Sequence, residues 1–143
     1  VNDPRHAADL VLITDLVARV AHTADDGTPV DYLALFTPDA VWEMPGHPAA
    51  GVAAQCRRGH AEIAAGVAER RASGIQGPGT ATRHVVTGTA VDPDRDRATA
   101  VSCWRFYAST DGAPRLVGMG LYHDEFVRVA GRWLLARRRV TLG

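Results

Sequence analysis

Lysine is missing from this chain, and cysteine, aromatic residues and long apolar runs are scarce. Without lysine there is neither a Schiff-base amine nor a P-loop lysine, so both chemistries are excluded. Two cysteines, Cys56 and Cys103, make no disulfide framework, and free thiols in a reducing cytoplasm are the expectation. No apolar run approaches the roughly 20 residues that cross a bilayer, and the opening "VNDPRHAADL" does not read as a signal peptide. Sixteen basic residues cancel sixteen acidic ones, which removes any net drive toward nucleic acid or a membrane surface. The run Arg137–Arg139 is no basic patch if it lies on a strand, where neighbours face opposite ways. His47, Cys56, His60, Cys103 and His123 show no HxxxH or CxxC spacing, so no metal site is expected.

What remains is an ordinary globular composition in 143 residues, with 46% hydrophobic and 22% charged, which suits one domain around one core. Asp3-Pro4 reads as an N-cap and first-turn proline, followed by Leu10, Ile13, Leu16, Val17 and Val20 at helical spacing. Gly27 is the expected stop. A short helix over Val30 to Phe36, a strand over Ala40 to Met44, a "PGHPAAG" loop and a helix over "GHAEIAAGVAERRASG" follow. After Gly79 come four strand-like runs, Thr80–Val91, Ala98–Ser109, Arg115–Ala130 and Arg132–Leu142, separated by "DPDRDR", "TDGAP" and "AG". Three helices in the N-terminal half and a closing antiparallel meander predict an α+β fold. Its curved, cone-shaped sheet encloses a pocket at the mouth.

Alternation along the strands then nominates pocket residues. Gly118, Gly120, Tyr122, Asp124 and Phe126 share one face, and glycines on a strand mark a bend or a close approach. Tyr122 and Asp124 are therefore expected beside the cavity, with His123 and Glu125 on the convex side. On the last strand Leu134, Ala136 and Arg138 share a face opposite Trp133, Leu135 and Arg137. His84, in "TATRHVVTGTAV", shares a face with Val86, Gly88 and Ala90, which suits a core or an apolar pocket wall. Asp25, at the end of the first helix, is the candidate to orient the imidazole and raise its basicity. Asp25 and Asp26 at a helix C-terminus oppose the macrodipole, a small cost that hints at another role. Trp42 is read as a residue of the pocket mouth, Trp104 and Trp133 as core or interface.

Taken together, "ITDLVARVAHTAD", "YLALFTPDAVWE", "TRHVVTG" and "LYHDEFVRVAGRWLLARRRV" resemble the SnoaL-like branch of the nuclear transport factor 2-like superfamily over nearly the whole chain. The pattern is similar to the group containing scytalone dehydratase, bile acid 7α-dehydratase and hexachlorocyclohexane dehydrochlorinase. The resemblance implies a single SnoaL-like domain over residues 1–143, a homo-oligomer (dimer or trimer) and no cofactor. It also implies that His84 removes a proton while Asp25 orients it. Arg138 falls where the dehydrochlorinase carries a pocket arginine, and Tyr122 where scytalone dehydratase has a polar pocket residue. Two departures stand out. Val20 occupies the place of a tyrosine or lysine five residues before the aspartate, and the second histidine of scytalone dehydratase has no counterpart near Ala108. Tyr122, Tyr32, Trp42 or Arg138 are the residues available to take over.

The expectation is a cofactor-free lyase or isomerase, dehydratase- or cyclase-like, acting on a small apolar, oxygenated, cyclic molecule. The competing reading is a non-catalytic ligand-binding or dimerisation module on the same fold. Epoxide hydrolysis by an Asp-Arg-Asp set is disfavoured, because Arg105 in "CWRFY" has no aspartate two residues on.

Overall fold

A computed structural model describes residues 3–143; Val1 and Asn2, which open the stretch read above as no leader, lie outside it. Helix α1 runs Pro4–Asp26, with the Asp3 side chain accepting the Arg5 N–H at 2.9 Å and Pro4 in the first turn. Its buried residues are Asp9, Ile13, Leu16, Val17, Val20, Ala21 and Asp25, one stripe at helical spacing. Ile13, Leu16, Val17 and Val20 of the predicted stripe are buried, Leu10 is only half-buried, and an acidic residue is added at each end. The second helix, α2 (Pro29–Leu33), is shorter than predicted, because Phe36 already belongs to strand β1 (Phe36–Met44). Apolar residues that read as helix are recruited by the sheet, where Phe36 is 2% exposed.

Strand β2 (Gln55–Arg58), helix α3 (Gly59–Ala72) and strands β3 (Thr82–Asp94), β4 (Arg97–Ala108), β5 (Arg115–Val129) and β6 (Arg132–Leu142) complete the chain. The six strands form one mixed sheet in the order β2-β1-β6-β5-β4-β3. The meander β3 to β6 is antiparallel as predicted, while β1 pairs β6 in parallel. β2 was not predicted: "QCRR" is short and polar, and only its pairing with β1 makes it a strand. The helices close over the inner face, burying Ile13, Val17, Phe36, Val67, Phe126 and Leu135 in one cluster. No helix among the described residues is long and apolar enough to cross a membrane.

Two bulges decide which side chains face inward. In β3, Thr87 pairs with Cys103 but Ala90 with Val101, so Gly88 and Thr89 together oppose Ser102. Gly88 takes φ +64°, a conformation glycine supplies without steric cost. The face predicted for His84, Val86, Gly88 and Ala90 is thus corrected beyond Val86, and Thr89 turns inward to meet the buried Ser102 hydroxyl at 3.0 Å. In β6, Arg137 pairs with Glu125 and Leu135 with Phe126, leaving Ala136 as the extra residue. The predicted grouping of Leu134 with Arg138 therefore fails. The bulge puts Arg138 on the same inner face as Trp133 and Leu135, and Arg137 and Arg139 outside.

Candidate active site

The last turn of α1 delivers Asp25 to the edge of the sheet. A helix end carrying two aspartates is disfavoured by its own dipole, and two arginines offset this. Arg71 of α3 donates to the carbonyls of Thr23, Ala24 and Gly27 at 3.2, 3.3 and 2.8 Å, capping the helix from outside. Arg83 pairs with Asp26 at 3.2 Å. Asp25 is left 1% exposed with both oxygens directed at one residue. Its Oδ1 lies 2.6 Å from His84 Nδ1, and its Oδ2 accepts the His84 main-chain N–H at 2.9 Å.

This double contact specifies the imidazole. A carboxylate accepts only, so Nδ1 is the donor and Nε2 carries the lone pair of the neutral ring. Nε2 meets no other described residue. The ring rests on Phe106, centroids 4.5 Å apart, and lines a cavity of about 840 Å³.

The cavity lies between the inner face of the sheet and the helices, and its walls are mainly apolar and aromatic. Val20, Tyr32, Trp42, Tyr122 and Arg138, all nominated from sequence, line it together with His84. Asp124 does not. It is 2% exposed behind the wall and holds Arg138 through two hydrogen bonds of 2.8 Å, Nε to Oδ1 and Nη2 to Oδ2. Strand pairing makes the contact, since Asp124 and Arg138 are direct cross-strand partners. Trp104, read as core or interface, is also a wall residue. Its indole donates to the Thr141 carbonyl at 3.2 Å and lies over Gly118. Gly120 is required there, because a Cβ would collide with the Thr141 carbonyl. Trp133 is core, donating to Asp9 at 3.0 Å.

Burial works against the charge of Arg138, but attraction and hydrogen bonds from Asp124 more than compensate, and its pKa rises above the usual arginine value. Its guanidinium lies 3.8 Å from the Tyr122 ring centroid, a cation–π contact. Burial pushes the Tyr122 phenol up to about 12, against the downward pull of Arg138. Burial also raises Tyr32, opposed by Arg138 and Arg70. Both phenols are thus hydrogen-bond donors at neutral pH, and neither hydroxyl bonds to another described residue although both rings line the cavity. One largely apolar chamber is thus lined by an imidazole, two phenols and a fixed cation.

Arg70 and Arg71 were missed in the sequence. Both lie on the stripe of Ile63 and Val67, at the i+3 and i+4 positions after Val67, where a charged residue reads as solvent-facing. An arginine on an otherwise inward stripe was the available signal. His123 and Glu125 lie on the outer face as expected, with Glu43, Arg137 and Arg139. Among the described residues no three His, Cys, Asp or Glu side chains gather as metal ligands.

No curated protein sequence matches the chain. Solved structures do. An NTF2-like protein with a cystatin-like fold from Novosphingobium aromaticivorans is 23% identical, covering 96% of this chain and 84% of its own with TM-score 0.80. The β subunit of a putative aromatic-ring-hydroxylating dioxygenase from the same organism is 19% identical over 96% and 90%, TM-score 0.75. A Catenulispora acidiphila protein in complex with S-DNPA is 26% identical over 95% and 94%, TM-score 0.77. The SnoaL-like domain family matches residues 5–139, and the chain belongs to that family.

Proposed function

We propose that the protein is a cofactor-free lyase or isomerase that removes a proton from a small, apolar, oxygenated and cyclic substrate, with His84 as general base. The observation that carries this reading is the His84 Nε2. The ring lines a cavity of about 840 Å³, and with Asp25 holding Nδ1 and the main-chain N–H, Nε2 is the nitrogen left for a ligand. Cavities of roughly 300–1,000 Å³ suit molecules of this size. Nε2 takes the proton from a carbon acidified by a neighbouring carbonyl, and the electron pair moves onto that oxygen. Tyr32, Tyr122 and Arg138 line the cavity and supply hydrogen bonds and positive charge to the oxyanion. Expulsion of a β-substituent completes an elimination; return of the proton to another carbon completes an isomerisation; attack of the enolate carbon on a second carbonyl of the same molecule, whose oxygen then takes the proton, completes a ring closure. The phenols of Tyr32 and Tyr122 stand in for the family tyrosine or lysine that Val20 replaces.

The same reading comprises one SnoaL-like domain over residues 1–143, in the cytoplasm on account of its free thiols, assembled as a dimer or trimer. A monomer mass in solution by light scattering refutes the assembly. A ligand-binding module without chemistry is the second reading, favoured by Val20 and by the relative in complex with S-DNPA.

The two are separated with 5-nitrobenzisoxazole, a neutral bicyclic probe. A base removes its C3 proton, the N–O bond breaks, and the oxygen leaves as a coloured phenolate. The native protein should accelerate this over buffer, and His84→Ala should lose about 10²–10⁴-fold. Equal rates for the native protein and the variant rule out the base.

A further inference from the structure

The arginines around the cavity differ in how their charge is met. Arg138 is neutralised by Asp124 through paired 2.8 Å bonds. Arg57 is neutralised by Glu69 at 2.6 Å. Arg71 directs its Nη2 at three carbonyls of α1, although its buried Nε has no partner among the described residues. Arg70 has no carboxylate partner among the described residues. It projects from the last turn of α3 over Trp42, its guanidinium carbon 5.3 Å from the ring centroid, and it lines the same cavity as His84. Gly66 gives it room, since a Cβ there would sit 3.2 Å from Arg70 Nη1. Arg115, the other cation with no carboxylate partner that lines the cavity, is exposed, so its charge carries little desolvation cost.

A half-buried, unpaired guanidinium is costly, and the cost shows in its chemistry. Burial lowers the Arg70 pKa below the usual arginine value, with Tyr32 pulling the other way. Ordinary packing resolves such a charge with an internal acid, as Arg138 and Arg57 do. Arg70 instead lines the ligand space with no internal acid, and a planar bidentate donor is suited to a carboxylate or a similar anion.

On the reading that this cavity is the substrate site, we propose that its ligand is an anion: a flat or cyclic apolar body carrying one negatively charged oxygen group, bound by Arg70 with the apolar part against Trp42. Arg70 and Arg138 both line the chamber, and both act electrostatically on Tyr32. The anionic group is thereby anchored at Arg70, and the Asp124-paired Arg138 remains for charge that develops during reaction. This assigns α3, outside the Asp25–His84 dyad, a part in selecting substrate.

Two dyes with one skeleton test this: 8-anilino-1-naphthalenesulfonate, an anion, and N-phenyl-1-naphthylamine, which lacks the sulfonate. Fluorescence titration of the native protein should show tighter binding of the anion. Arg70→Met should weaken the anion about ten- to hundred-fold, the value of a charged hydrogen bond, and leave the neutral dye within about two-fold. Arg70→Lys should keep part of the preference. Circular dichroism melts establish that each variant is folded; should Arg70→Met unfold, the comparison of the two dyes on native protein and Arg70→Lys decides. Equal affinity for both dyes, a preference unchanged in the variants, or no binding of the anion overturns the proposal. Loss of the His84-dependent elimination with the dye preference intact would sink the base and leave the anion site. Intact elimination with equal dye affinities would do the reverse.

Discussion

Asp25→Asn is the sharpest perturbation of the dyad, because it preserves shape and reverses one hydrogen-bond role. The native carboxylate accepts twice from His84, from Nδ1 at 2.6 Å and from the main-chain N–H at 2.9 Å. An asparagine has one accepting oxygen and one donating amide. The main-chain N–H cannot stop donating, so the oxygen goes to it and the NH₂ group faces Nδ1. Nδ1 must then accept, which moves the ring proton to Nε2. The imidazole stays in place but presents N–H to the cavity instead of a lone pair. Elimination of 5-nitrobenzisoxazole should fall by about 10²–10⁴-fold, the usual value of a positioned base. Stability should fall far less. Two charge-assisted bonds become neutral ones at about 1 kcal/mol each, partly offset by no longer burying a charge, so about 1–2 kcal/mol is expected. That lowers Tm by roughly 3–8 °C for a chain of this size. Long-range ¹H–¹⁵N correlation spectra of the neutral ring read the tautomer directly, with no substrate needed. The expected result is Nδ1–H in the native protein and Nε2–H in the variant. A native ring already protonated on Nε2, or a variant with unchanged tautomer and rate, would refute the reasoning.

Other outcomes follow from the same geometry. The Tyr122 phenol has a folded pKa of about 12 against its usual 10.0, so it stabilises the fold fully below pH 10, and this is lost as pH rises through about 12. The difference in phenolate absorbance between native protein and Tyr122→Phe should therefore appear near pH 12; its appearance at pH 10 in folded protein would refute the burial. For Asp9, burial pushes the carboxyl up, but hydrogen bonds from Arg128 and Trp133 outweigh it and the net direction is below the usual 3.8. Its contribution is complete above about pH 4 and disappears as pH falls through the lower folded value, so the acid limb of a Tm–pH curve should flatten in Asp9→Asn. Arg71→Met removes a donor from three carbonyls at the end of α1, of which that of Thr23 keeps the Gly27 N–H, and should cost about 1–3 kcal/mol. Hydrogen exchange should localise the loosening to the amide of Gly27 and its neighbours, and exchange unchanged there would show the cap to be dispensable. Phe126→Ala, at 1% exposure in the main core, should cost about 3–5 kcal/mol by denaturant titration.

The sequence by itself determined what period and punctuation can carry. The stripe of α1, its Asp3-Pro4 start, the four-strand meander and the inward face of Gly120, Tyr122 and Phe126 were all legible. Each rests on neighbours a few residues apart, where sterics and hydrophobic spacing act directly. The Asp25–His84 pair was legible as two candidates, but their 2.6 Å contact spans 59 residues and no local rule brings them together. The tertiary structure alone decided the rest. Strand β2 exists because β1 offers it an edge. The bulges at Gly88 and Ala136 reset alternation, and without the second, Arg138 would have kept company with Leu134. Asp9 and Arg70 are charged groups that read as solvent-facing, and Asp124 was expected beside the cavity. The two aspartates are buried because partners distant in sequence satisfy them, Arg128 and Trp133 for Asp9 and Arg138 for Asp124. Burial of charge depends on a partner's position in space, and that position is settled only when the sheet closes over the helices.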